Sequence, residues 1–130
     1  MDPERQAKGN DTYEAVYGDD GPNAKPPPGA SLYVDVMIEQ LFAEVWAREA
    51  LSIRDRRLLV MGTLAAQGMA DKVDMQLRRA VELGELTLDE ADEVVLHLSH
   101  YVGWALASPL SMTVPNLRAE IAARERGHAT

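Results

Sequence analysis

Residues 87–104 read TLDEADEVVLHLSHYVGW, and the spacing of their apolar positions decides the fold class. Thr87 followed by Glu90 is a capping box: the hydroxyl accepts from the amide three residues on, and the carboxylate reaches back to the Thr87 amide. A helix therefore starts here and runs past residue 100. At about 100° per residue, Ala91, Val94, Val95, Leu98, Val102 and Ala105 gather on one side, which must face a core. Glu93, His97, His100 and Trp104 form a second stripe on roughly the opposite face. Leu96, Gly103 and Leu106 leave that half little polar surface. A helix apolar around most of its circumference is buried on most sides. In so short a chain this predicts burial against another subunit, with the histidine stripe at a seam or a cleft beside one.

Working outward, the rest of the chain is also helical. Residues 3–17 are polar with few apolar points, a peripheral helix ending at Gly18. GDDGPNAKPPPGAS, residues 18–31, is a loop in which three prolines favour polyproline II. The organisation expected is an arm and connector over 1–30 and a helical domain over 31–130. Val34, Met37, Ile38, Leu41, Phe42 and Val45 follow the i, i+3, i+4, i+7 spacing of an amphipathic helix. Ser52 starts the next helix, 53–67, whose first turn carries Arg54, Arg56 and Arg57 against the macrodipole preference for anions. A helix over 70–83 buries Val73, Leu77, Ala80 and Val81 and stops at Gly84. The last helix starts at Ser108–Pro109 or at Thr113 to Pro115. No alternating strand pattern occurs, so the class is all-α with about six helices.

Composition narrows the function. The 130 residues carry a net charge of −8 and no cysteine. Nucleic-acid binding needs clustered Lys and Arg, so no such partner is expected. Disulfides, thiolate metal sites and a cysteine nucleophile are excluded. The charged N-terminus is no secretory signal and no apolar run approaches the roughly 18 residues of a membrane span. The expectation is a cytoplasmic protein with no membrane partner.

Two histidines on the opening helix allow three chemistries. Glu93, His97 and His100 could place three ligands on one face, but helices offer such triples by chance, and no metal is expected. His100 reads as a hydrogen-bonded residue of a subunit contact. His97, one turn from Glu93 and Tyr101, is the acid/base candidate, since a neighbouring carboxylate fixes an imidazole's tautomer.

EVWAREALSIRDRRLL, residues 44–59, and LAAQGMADKVDMQLRRAVELGELTLDEADEVVLHLSHYVGW, residues 64–104, closely resemble the carboxymuconolactone decarboxylase family. Trp46, Arg48, Arg56, Gln76, Arg78, Ala80, Gly84, Thr87, Glu90, Glu93, Val94, Tyr101 and Gly103 carry the resemblance. It implies an all-helical fold of the alkylhydroperoxidase D-like type, oligomeric as a trimer or hexamer, with clefts near subunit contacts. It also implies cofactor-free decarboxylation of a small carboxylated lactone or related acid in aromatic-acid catabolism. The Cys-x-x-Cys pair of the peroxide-reducing relatives would fall near Met69 and Lys72, so thiol peroxidase chemistry is excluded. The family histidine before x-Arg-x-Ala is Gln76, which donates a hydrogen bond but exchanges no proton near neutrality.

For such a reaction Arg56 is the expected carboxylate clamp, with Arg48 second, because guanidinium forks match carboxylates. Gln76 would donate to the lactone oxygen and His97 would supply the proton, oriented by Glu93. Trp46, Tyr101 and Trp104 would wall the pocket, and Glu44 could enter it. Each has a plainer reading: Arg56 pairs with a carboxylate, Gln76 and Glu44 are solvated, the aromatics are core or seam. The competing class is a non-catalytic oligomeric binding or scaffold protein that keeps the fold.

Overall fold

The computed structural model describes residues 2–128, and every described element is helical. Met1, Ala129 and Thr130, at the ends of the expected arm and helical domain, lie outside the described residues. The chain divides into two compact units, Met1–Arg56 and Arg57–Thr130, and the Pro-rich connector lies within the first.

In the first unit, α1 (Pro3–Tyr17) begins at an N-cap, Asp2, whose carboxylate accepts from the amides of Glu4 and Arg5. Such a cap satisfies amides that the first turn leaves without helical partners. A short 3₁₀ turn, Gly21–Asn23, interrupts the connector before α2 (Leu32–Val36), which Ser31 caps. The expected amphipathic α-helix then changes winding. Met37–Trp46 is π-helical, bonded i to i+5, so each turn is wider by about one residue. The buried line becomes Ile38, Phe42 and Trp46, with Ala43 beside it. Leu41 and Val45, expected on the apolar stripe, turn outward and are 40% and 45% exposed.

Side chains of α1 hold this segment. Gln6 Nε2 donates to the Asp35 carbonyl at 2.9 Å, and Arg5 Nη2 donates to the Glu39 carbonyl at 3.2 Å. Gly9 makes the approach possible, because a Cβ there would overlap the Ile38 backbone. Tyr13, Tyr17, Phe42 and Trp46 fill the contact with tilted, edge-on and stacked rings. Phe42 is 1% exposed, and burying such a side chain stabilises by about 1.5–3 kcal/mol.

The second unit is built on α3 (Ile53–Ala66, of which the first four residues belong to the first unit), α4 (Ala70–Glu82), α5 (Leu88–Val102) and α7 (Thr113–His128). A short α6 (Trp104–Ala107) and a 3₁₀ turn, Ser108–Leu110, join α5 to α7. Of the two starts open for the last helix, the structure takes Thr113. Met61, Ala65, Val73, Leu77, Ala80, Leu86, Ala91, Leu110 and Val114 make the core. Val94, Val95, Leu98 and Val102 pack on it from α5, as the wheel predicts, whereas Ala105 lies beyond the helix and is exposed.

Thr87 and Glu90 form the full capping box, at 3.1 and 2.9 Å. α5 runs past residue 100 as expected and ends at Val102, where Gly103, at φ 98°, turns the chain and leaves Trp104 beyond the helix. That left-handed region strains any residue with a Cβ.

Candidate functional site

In the first unit, Ser52 organises the start of α3. Its hydroxyl accepts from the Asp55 amide at 3.0 Å and its carbonyl accepts from the Arg56 amide at 3.0 Å. The Arg56 side chain then reaches back over the preceding turn, and Nη2 donates to the Arg48 carbonyl at 3.2 Å. Neither Arg48 nor Arg56 has a carboxylate partner among the described residues. Arg56 Nε is buried and unpaired. The chain has 21 acidic residues against 13 basic ones, so carboxylates are abundant and these two guanidiniums still lack one. The plainer reading of Arg56, a structural ion pair, is not what the geometry shows.

The other first-unit candidates behave differently. Trp46 is 6% exposed, stacked on Phe42 at 6.0 Å between ring centroids and beside Tyr17. Glu44 is on the surface and pairs with Arg5 at 3.0 Å. An ion pair this exposed contributes about 0–1 kcal/mol.

In the second unit, Gln76 is not the surface residue that its spacing left open; it is 2% exposed. Its Oε1 accepts from Arg57 Nη1 at 2.8 Å. Arg57 is fully buried and forks onto Glu85, with Nε to Oε1 at 2.7 Å and Nη2 to Oε2 at 3.0 Å. Breaking a buried pair by removing one partner costs about 3–5 kcal/mol. Sequence reasoning missed Arg57 and Glu85. The available signal was the i, i+4, i+8 line of Arg57, Met61 and Ala65, which places Arg57 on the buried face of α3.

The α5 candidates are exposed, and the rings associate in pairs one turn apart. His97 lies against Tyr101 at 4.8 Å between centroids, and His100 meets Trp104 edge-on at 5.3 Å. His100 Nδ1 is 2.9 Å from the Leu96 carbonyl. A carbonyl only accepts, so Nδ1 carries the proton and a neutral ring offers Nε2 as its acceptor. Glu93 is exposed and makes no hydrogen bond to His97, so the expected orientation of the imidazole by that carboxylate is absent from this geometry. Tyr101, Trp104 and Leu96 are 79%, 64% and 49% exposed. Beside Trp104, a groove of about 190 Å³ runs between Val95 and Leu96 on one side and Leu110, Val114 and Pro115 on the other.

Among the described residues no group of three or more His, Asp or Glu could hold a metal ion, and no helix is long and apolar enough to cross a membrane. Residues 33–110 match the model of the carboxymuconolactone decarboxylase family. No curated protein and no solved structure matches the chain. The family match covers more than half of the 130 residues, and the chain belongs to that family.

Proposed function

We propose that this family member is a carboxy-lyase that releases CO2 from a small carboxylated lactone of aromatic-acid catabolism, without metal or organic cofactor. The observation that carries the reading is the pair of guanidiniums at Arg48 and Arg56. They lack carboxylates in an acidic chain, and Arg56 Nε is buried without a partner. Leaving such a donor unsatisfied costs roughly 1–3 kcal/mol, a deficit that a bound carboxylate offsets through charge-assisted bonds.

In the reaction the bond to the departing carboxylate breaks. Its electron pair moves through the ring double bond onto the lactone carbonyl oxygen, and a proton then returns to carbon. Arg56 and Arg48 hold the carboxylate that the substrate keeps. Gripping the departing one would stabilise the ground state along with the transition state and add nothing to the rate. Gln76 donates to the oxygen as charge develops on it, where a preset donor is most effective. His97 delivers the proton, with Tyr101 and Trp104 as walls. The protein works as a homo-oligomer, a trimer or hexamer, whose seam covers the exposed apolar residues of α5.

The competing reading, a non-catalytic ligand-binding protein, draws support from Gln76, which cannot exchange a proton near neutral pH. Calorimetric titration with 4-carboxymuconolactone tests the clamp that both readings share. Arg56→Ala is expected to weaken binding about tenfold to a hundredfold, the worth of a hydrogen bond to a charged group. Equal affinity in the two proteins would remove Arg56 from the site.

A further inference from the structure

The first unit holds a cavity of about 310 Å³ between α1, the Pro-rich connector and the stretch from α2 into the π segment. Its size lies at the lower end of the roughly 300–1,000 Å³ of small-molecule sites. Gln6 stands in its wall and is 8% exposed. Gln6 Nε2 donates to the Asp35 carbonyl at 2.9 Å. A carbonyl only accepts, so the amide is fixed with its nitrogen toward Asp35 and its Oε1 is left over. That oxygen has no partner among the described residues and is not sealed from solvent, so it opens on the cavity. Asn10, half-buried one turn further along α1, lines the same cavity and has no side-chain partner among the described residues.

The charges around these acceptors do not balance. Glu14, Asp19 and Asp35 line the cavity with a single ammonium, that of Lys25. Lys25 Nζ is engaged by Glu14 at 3.8 Å and by the Tyr13 ring, 4.5 Å from its centroid. The Asp35 carboxylate accepts from the Gly29 amide at 3.1 and 3.2 Å. Neither Asp35 nor Asp19 has a cationic partner among the described residues. A cleft lined by one sign of charge concentrates counter-ions. A bare metal ion needs converging oxygens, and among the described residues no group of three or more His, Asp or Glu could hold one. We propose that this cavity binds a linear aliphatic diammonium ion. Asp19 and Asp35 supply one carboxylate for each ammonium, through charge-assisted bonds. Gln6 Oε1 and the Asn10 side chain accept further N–H groups, and the rings of Pro26 and Pro27 cover the methylene chain. The site gathers carboxylates where the Arg48 and Arg56 clamp gathers guanidiniums, and it does not rest on the decarboxylase reading.

Calorimetric titration of the full chain with 1,4-diaminobutane tests this, beside butylamine, 1,4-butanediol and calcium chloride. The diamine is expected to bind saturably and butylamine at least about tenfold more weakly, for want of the second charge. The diol and calcium are expected not to saturate. Asp35→Asn keeps an acceptor for the Gly29 amide and removes the charge, and it should weaken diamine binding about tenfold, as for a lost charge-assisted bond. Asp19→Asn lies on an exposed residue that makes no side-chain bond, so it leaves the fold intact and decides the matter should Asp35→Asn unfold; a loss of about threefold is expected there. No saturable binding of 1,4-diaminobutane at up to about 10 mM would overturn the proposal. Equal affinity for butylamine or the diol, or unchanged affinity in the folded variants, would overturn it as well. Calcium binding tighter than the diamine would overturn the organic cation in favour of a metal ion.

Discussion

Replacing Gly9 by alanine tests how the first unit is assembled. A Cβ at this position would lie 2.7 Å from Ile38 Cγ2 and 2.8 Å from the Ile38 carbonyl carbon, and closer still to the carbonyl oxygen. The obstacle is backbone, so no side chain can rotate away and α1 must move off the π segment by about 1 Å to restore ordinary packing distances. That shift stretches the bonds from Gln6 to the Asp35 carbonyl and from Arg5 to the Glu39 carbonyl, now 2.9 and 3.2 Å, beyond hydrogen-bonding range. Overpacking costs about 1–3 kcal/mol, two hydrogen bonds about 1 kcal/mol each, and the better helix propensity of alanine returns about 1 kcal/mol. The net loss is about 2–4 kcal/mol, or roughly 6–20 °C in Tm for a chain of this size. Gly62 in α3 is the control, because a Cβ there meets nothing within 4 Å. Thermal unfolding followed by circular dichroism should show Gly9→Ala melting lower than the wild type and Gly62→Ala slightly higher. A Gly9→Ala protein that melts at or above the wild-type temperature would refute the close approach of α1 to the π segment.

Two further outcomes follow from local chemistry. Thr87→Ala removes the hydroxyl that accepts from the Glu90 amide and should cost about 1 kcal/mol in urea unfolding; no measurable loss would mean the box contributes nothing to α5. The Tyr13 phenol, which donates to the Asn23 carbonyl at 2.8 Å, has its pKa raised above the usual value of about 10, first by burial and then by repulsion from Tyr17. A raised folded-state pKa means that this contribution to stability is complete below about pH 10 and is lost as pH rises through the raised value. Tyr13→Phe should therefore lose less stability than the wild type above pH 10 in parallel denaturant titrations, and identical losses would show that the phenol is not coupled to folding.

The helices of the second unit were legible because their signals are local. Thr87 and Glu90 cap α5, Gly84 closes α4, and the apolar residues of α5 recur at helical spacing. The π winding of Met37–Trp46 was not legible. Arg5 and Gln6 meet carbonyls of this region from more than 28 residues away, and the pattern from Val34 to Val45 fits an α-helix equally well. At the candidate site, Arg56 could be singled out by residue type and by a resemblance. Its lack of a carboxylate is a property of packing that spacing cannot carry. Arg57 is legible only as one of three basic residues in the first turn of α3, because charge usually marks a solvated face. The fork to Glu85, 28 positions later, and the bond to Gln76 help to make its complete burial tolerable. For Gln76 the sequence leaves both a ligand contact and a solvated amide open, and its burial is a property of the packing.

The most direct measurement is CO2 release from 4-carboxymuconolactone by the purified protein, run beside His97→Ala and Arg56→Ala with folding checked by circular dichroism. Turnover is expected in the wild type. His97→Ala should lose at least about a hundredfold in kcat, the lower range for a general acid. Arg56→Ala should lose its activity chiefly through KM, since the clamp grips the carboxylate equally in ground and transition states. No CO2 from the well-folded wild type would contradict the account and leave a protein that keeps the family's helices and binds without reacting.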